Sequence, residues 1–386
     1  NAPSPVPSQS PTFQPTTSPT PLPSLLPTSV PTPMPTTVQP TEFPSPIPTT
    51  PFPTPIPTID PTPRPTTLMP STMVPAAIVP ATPAPVTLGP VTTPQPTAPT
   101  PQQNVTSFWI QLGNDINGEA AGDITGQAVA MSATGNVVAV GSSGYDVNGN
   151  SVDAGQLRIF EWSSLNNDWN QRGNSIVGVA AGDQAGRSVA LSADGSVLVV
   201  GADEHDGPNG PASGQARVFA WNGVEWAQRG STLFGESSGD EYGYAVSLNS
   251  DGMVVAVGGY NNAGAAGFFG GHVRVFEWDG NDWRQRGVDL DGAVLFGRFG
   301  GSVSLSSDGS ILAAGGYSLS SPGKCRIFRW TSTAWIQLGG DMDGRSVSDG
   351  FGISVSLSND GSVVAVGAHN DDNENGANAG LCRVFQ

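Results

Sequence analysis

One five-residue phrase, W-x-Q-[RL]-G, occurs five times: WIQLG at 109, WNQRG at 169, WAQRG at 226, WRQRG at 283 and WIQLG at 335. A second phrase, R-[VI]-F, keeps step with it at Arg158, Arg217, Arg274, Arg326 and Arg383. Repetition at 52 to 60 residues means that one supersecondary unit has been copied. Such a unit is too small to bury its own apolar face, so the copies must stack on one another.

Each unit reads as four short strands. In the second they are WNQRG, GRSVALS, SVLVVGA and GQARVFAW. The middle two are joined by ADG, and the other units carry ATG, SDG, SDG and NDG there. Asp-Gly between apolar runs is a hairpin signal, because a tight hairpin turn needs positive φ. VVAVG and VLVVG are apolar on both faces, as strands covered on both sides should be. Four strands per unit, repeated radially, predict an all-β fold: a five-bladed β-propeller over 107–386. The paired Trp of each unit offer flat surfaces for packing between blades.

The stretch GDQAGRSVALSADGSVLVVGADEHDGPNGPASGQARVFAW resembles the FG-GAP repeat of integrin-α-type propellers, and FGISVSLSNDGSVVAVGAHNDDNENGANAGLCRVF carries its Phe-Gly. The resemblance spans 107–386 and implies a propeller, although integrin-type propellers have seven blades. The first unit begins with WIQLG and the last ends at GLCRVFQ. Residues 109–113 are therefore expected to supply the last blade's outer strand and close the ring, which removes both sheet edges. Pairing with another molecule's last blade is the alternative, a head-to-tail contact that builds filaments.

The first 101 residues differ in kind. They hold all but three of the 36 prolines, and Pro falls on every fourth residue at Pro3, Pro7, Pro11, Pro15, Pro19, Pro23, Pro27, Pro31 and Pro35, each followed by Ser or Thr. Proline lacks the N–H and fixes φ, so no ladder forms. Polyproline II, at about 3.1 Å per residue, is expected. With three residues per turn, a four-residue repeat turns successive Pro-Ser/Thr pairs to three sides of the rod. Ser/Thr beside Pro is the composition of O-glycosylated stalks. The glycan candidates are Ser4, Ser8, Thr12, Thr16, Thr20, Ser24, Thr28, Thr32, Thr36, Thr41, Ser45, Thr49, Thr54, Thr58, Thr62, Thr66 and Ser71. The stretch resembles hydroxyproline-rich glycoproteins of plant and algal walls and glycan-coated fibrils, which makes the nine prolines above hydroxyproline candidates. Residues 102–106 form a linker whose Asn104-Val105-Thr106 is an N-glycosylation sequon.

The formal net charge of −17, with Lys324 as the one lysine, argues against nucleic-acid or anionic-membrane partners. No apolar run approaches the roughly 20 residues of a membrane span. The start at Asn1 reads as a processed, secreted product.

The loops leading from the VVAVG strand to the R-V-F strand are acidic in three units. They offer Asp146, Asn148, Asn150 and Asp153; Asp203 and Asp206; and Asp371, Asn373 and Asn375. Oxygen ligands at alternate positions before a Gly suit Ca²⁺, and the FG-GAP resemblance implies Ca²⁺ in such loops. The fifth loop has Ala379 where that pattern's last carboxylate belongs. A solvated turn is the competing reading. The repeated G-D-x-x-G aspartates (Asp123, Asp183, Asp240), with Asp349 nearby in the fifth unit, and the repeated Arg and Gln read as scaffold. Cys325 and Cys382 share a repeat position, so they are expected to be buried thiols rather than a disulfide. Phe268 and Phe269 in the irregular FFGGH loop are the candidate contact residues. With no nucleophile elbow, phosphate loop or zinc spacing, no enzyme is expected.

The expectation is a structural subunit of an extracellular glycan-coated fibril or cell-surface assembly. Self-association would run through the propeller, and glycans would be carried on the stalk. A stalked adhesin or lectin-like module is the alternative, and it predicts residues that break the repeat symmetry clustered on one rim.

Overall fold

The computed structural model describes residues 109–147, 152–265, 267–318 and 320–386. The proline-rich stretch, its glycan and hydroxyproline candidates, Asn104, Asn148 and Asn150 lie outside them. The chain divides into a unit at 1–98 and a second at 99–386; the description below concerns the second.

The described residues form five antiparallel sheets, contain no helix, and have a propeller-like arrangement. Sheet 1 contains β1 (Thr125–Met131), β2 (Val137–Ser142), β3 (Gln156–Ser163), β4 (Asp168–Gln171) and the short β5 (Ile176–Val177). Sheet 2 contains β6 (Ser188–Leu191), β7 (Val197–Ala202), β8 (Gln215–Trp221), β9 (Trp226–Gln228) and β10 (Leu233–Phe234). Sheet 3 repeats this with β11 (Tyr242–Leu248), β12 (Val254–Gly259), β13 (His272–Trp278), β14 (Trp283–Gln285) and β15 (Leu290–Asp291). Sheet 4 has β16 (Phe299–Leu305), β17 (Ile311–Gly316), β18 (Lys324–Trp330) and β19 (Trp335–Asp343). Sheet 5 has three strands, β20 (Phe351–Leu357), β21 (Val364–Ala368) and β22 (Leu381–Phe385).

The second strand of each sheet is its buried centre. All six residues of β7 and of β12 are buried. Four apolar clusters fill the four joints between successive sheets. At the first joint Val137, Ala139, Leu157 and Ile159 of sheet 1 meet Leu198, Val200, Phe219 and Trp226 of sheet 2. The hairpin turns are linked from sheet to sheet by backbone bonds. Ala133 donates to Ala193 (2.8 Å), Ala193 to Ser250 (2.8 Å), Ser250 to Ser307 (3.0 Å) and Ser307 to Asn359 (2.8 Å).

The inner edges approach closely because both contacting residues are glycine. A Cβ on Gly141, Gly201, Gly258 or Gly315 would overlap the carbonyl oxygen of Gly186, Gly243, Gly300 or Gly352 in the next sheet. Farther out the joint is made by tryptophan. Trp226 Nε1 donates to Arg172 O (2.8 Å), Trp283 to Arg229 O (2.7 Å) and Trp335 to Arg286 O (2.7 Å).

Two expectations need correction. Residues 109–113 pair with no strand of sheet 5. Instead Trp169 Nε1 donates to Leu112 O (2.9 Å), which places this segment where a sheet preceding sheet 1 would have its outer strand. The end faces are accordingly uncovered. Ile159, Val218 and Val275 are buried, yet their counterpart Val384 is 66% exposed. Leu248 and Leu305 are buried, yet their counterpart Met131 is 59% exposed. Cys325 is buried, and burial pushes its thiol up to about 12. Cys382, expected to be buried, is exposed because it lies on β22 of the uncovered last sheet.

Candidate functional site

The repeated polar residues are structural. Asp123, Asp183, Asp240 and Asp349 each accept two backbone N–H bonds from the residues four and three before them, at 2.6–3.1 Å. Arg158, Arg217, Arg274 and Arg383 donate to backbone carbonyls of Asn117, Val177, Phe234 and Asp343, and Arg326 to that of Asp291. A side chain occupied in the same way in every repeat supports the repeat rather than a ligand.

The acidic loops share one clasp. Asp146, Asp206 and Asp372 each accept a bond at 2.7–2.9 Å from the N–H of Asp153, Ala212 and Asn378 respectively. Each donor residue has positive φ, between 47° and 53°. The carboxylate thus pins the strained residue of its own loop. Asn373 Nδ2 donates to Gly380 O (2.8 Å), and Asn373 Oδ1 accepts from Asn375 N (3.0 Å). Asp371 is buried, with Arg345 Nη1 4.0 Å from one oxygen. Asp203 is also buried, but it points elsewhere.

Asp203 belongs to a group of side chains that break the repeat symmetry. Three repeat positions lie at one end of each sheet. The first follows the G-D-x-x-G aspartate and has positive φ in Ile124, Gln184, Glu241, Arg298 and Gly350. The second, in the first strand or, in sheet 2, just before it, is Gln127, Arg187, Tyr244, Gly301 and Ile353. The third, just past the second strand, is Ser143, Asp203, Tyr260, Tyr317 and His369. A bulge between Tyr242 and Ala245, repeated in sheets 1, 4 and 5, presents these positions together.

At sheets 2 to 4 they form one partly buried cluster. The rings of Tyr244 and Tyr260 lie 4.0 Å apart, centroid to centroid. The Arg187 guanidinium sits 4.8 Å from the Tyr244 ring, and that of Arg298 lies 5.6 Å from Tyr260 and 5.4 Å from Tyr317. Arg187 Nε is 3.6 Å from Asp203 Oδ2. Asn261 Nδ2 donates to Glu241 Oε1 (2.6 Å). Burial raises the Asp203 carboxyl to about 7, with Arg187 opposing the rise. Burial and then Tyr317 hold the Tyr244 phenol near 12; burial and then Glu241 raise that of Tyr260. Stacked aromatics beside charged hydrogen-bonding groups offer both a flat apolar face and directional bonds to a polar ligand.

Phe268 and Phe269 are exposed, as a contact pair must be. Phe269 has φ of 55° and lies 5.8 Å from the Phe296 ring. With Leu295 and Phe296, also exposed, they make an apolar patch at the joint of sheets 3 and 4. The sequence reading missed Leu295, Phe296 and the tyrosine cluster. The signal available for the cluster was variation, a Tyr or Arg at repeat positions that hold Gln, Gly or Ile elsewhere.

No helix among the described residues is long and apolar enough to cross a membrane. Residues 178–219 and 342–385 match the model of the FG-GAP repeat family. Comparison with curated proteins gives no match. Among solved structures the chain is similar to the crystal structure of TolB from Acinetobacter baumannii, at 14% identity and a TM-score of 0.40. That likeness covers 67% of this chain and 51% of the TolB chain, so the chain spans about half the length of the structure it matches. By its own repeats the chain is similar to FG-GAP repeat proteins, typically protein-interaction or adhesion modules at the cell surface.

Proposed function

We propose that the chain is a structural subunit of an extracellular, glycan-coated fibril or cell-surface assembly. The sheets make the protein–protein contacts, and the Pro/Ser/Thr stretch carries O-glycans on a polyproline II rod. Ca²⁺ in the acidic loops and a non-enzymatic role belong to the same reading.

The observation that carries it is the pair of uncovered, complementary end faces. Val129 and Met131 on sheet 1 occupy the repeat positions by which Val189 and Leu191 of sheet 2 pack on sheet 1. Val384 on sheet 5 occupies the position by which Ile159 of sheet 1 packs on sheet 2. One end is therefore built to receive the other. Head-to-tail contact between copies buries both and repeats without limit.

Electron microscopy of the native, untreated material tests this. The expected result is filaments with density beyond the side chains along residues 3–90, and with residues 109–113 seated against β22 of a neighbouring copy. Isolated particles without such density would overturn it. They would favour the stalked adhesin, a reading that the tyrosine cluster supports because it breaks the repeat symmetry at one end of sheets 2 to 4.

A further inference from the structure

His272 opens β13 and is fully buried, yet neither ring nitrogen has a hydrogen-bond partner. Burial without a partner is costly for a polar group, so such a group calls for an explanation. Two carboxylates face it. His272 Nδ1 is 3.9 Å from Glu236 Oε2 and 3.9 Å from Asp289 Oδ2, beyond hydrogen-bond range. One donor atom from each of the three side chains fits within a 4.8 Å span.

Each carboxylate is steered from behind. Arg274 Nη1 bonds Glu236 Oε1 (3.4 Å), and Gln285 Nε2 donates to Asp289 Oδ1 (2.6 Å). The oxygens left over are the two turned toward the imidazole. Gly259 makes room for the ring, since a Cβ there would meet Nε2 at 2.8 Å. Glu236 is exposed and Asp289 half-buried, which leaves a path from solvent.

The repeats act as internal controls. At the same place sheet 1 has Glu119, Gln156 and Ser175, and Gln156 Nε2 donates to Glu119 Oε2 (3.3 Å). Sheet 2 has Val179, Gln215 and Thr232, with no carboxylate to satisfy. Sheet 4 has Ala293, Lys324 and Asp341, and the lysine ammonium lies 3.3 Å from Asp341 Oδ2. Where the repeat carries an outer carboxylate at this position, as in sheet 4, the chain supplies its own cation. Sheet 3 has two carboxylates, and between them an imidazole nitrogen.

We propose that Glu236, His272 and Asp289 form a binding site for a divalent transition cation, held by His272 Nδ1, Glu236 Oε2 and Asp289 Oδ2 with solvent completing the shell. An imidazole nitrogen beside two carboxylates selects zinc- or manganese-like ions over Ca²⁺, which takes an all-oxygen shell. Ligand bonds of about 2.0–2.2 Å need only a small inward movement of the two acidic side chains. The site is distinct from the acidic loops.

The test is calorimetric titration of the full chain, freed of metal by a chelator, with Zn²⁺ in the presence of excess Ca²⁺. His272→Gln restores the residue that sheets 1 and 2 carry, and Asp289→Thr restores that of sheet 2, so the repeat frame accepts both. The expected result is one Zn²⁺ equivalent in the wild type that Ca²⁺ does not displace. Loss of a supporting partner alone weakens a metal site about 10–100-fold, so either substitution should weaken this one by at least about 100-fold. Co²⁺ should give a visible spectrum that changes in His272→Gln. No saturable Zn²⁺ binding by the wild type overturns the proposal. So does equal stoichiometry and affinity in whichever variants retain the wild-type circular dichroism.

Discussion

At the scale of single residues, repetition separates scaffold from site. Asp183 and its counterparts were legible as scaffold because a carboxylate repeated at a fixed offset has a fixed structural task. Asp203 was legible only as an acidic loop residue. Arg187 lies beside Asp203 across their own hairpin; what the sequence could not show is that Asp203 is buried there, because that depends on how sheet 2 packs on sheet 3. A carboxyl raised to about 7 favours the protonated fold. The unfolded group titrates near 3.8, so this stabilisation is complete below about pH 4 and is lost as pH rises through about 7. The whole effect is at most about 4 kcal/mol. Asp203→Asn, which has no proton to lose, should match the wild type near pH 4 and exceed it in stability at pH 8. Urea midpoints of the two proteins across that range test this; a constant difference would mean that Arg187 keeps Asp203 charged throughout.

At the scale of the strand, the repeat phrases explain themselves. The Trp of W-x-Q-[RL]-G and the Trp after R-V-F pack edge to face or tilted within one sheet, as Trp221 and Trp226 do with centroids 5.4 Å apart. The Arg of the preceding phrase lies over them, with Arg172 4.8 Å from the Trp221 ring. Trp226 Nε1 then reaches back to Arg172 O, so one motif ties two sheets. That the tryptophans serve the packing between sheets was legible in the spacing; that the two of each unit first pack on each other within one sheet was not. Nor was the cation between them, because a repeated Arg in an acidic chain reads as an ion-pair partner. Trp226→Phe keeps an aromatic ring but loses the indole donor and part of its packing, leaving a part-buried carbonyl unpaired. The expected cost is about 1–2 kcal/mol, measured as a lower urea midpoint with an unchanged slope. Exposed Trp109 holds the same position in its phrase without this bond, and Trp109→Phe should change the midpoint little.

At the scale of the molecule, the sequence carried the number of repeats and their order, but not what covers the two ends. Local pattern specifies how a unit meets its neighbour. It is silent on whether the last unit meets the first of its own chain or of another, because both contacts use the same residues. The inner glycines make the distinction measurable. A Cβ on Gly258 would overlap the Gly300 carbonyl oxygen, whereas on Gly367 of sheet 5 it would overlap only the flexible Ser354 hydroxyl within its own sheet. At the other end a Cβ on Gly126 would meet nothing. Gly258→Ala should therefore destabilise the fold by about 3 kcal/mol or more, through overpacking against backbone. Gly367→Ala reads out the end contact. If sheet 5 meets sheet 1 of the next copy, the variant keeps the wild-type melting temperature when dilute and loses concentration-dependent assembly in sedimentation velocity. If the chain closes on itself, the variant melts lower at every concentration and assembly is not the property that changes. A Gly367→Ala protein identical to wild type in both measurements would show that the two end faces are not partners at all, and would remove the observation on which the fibril reading rests.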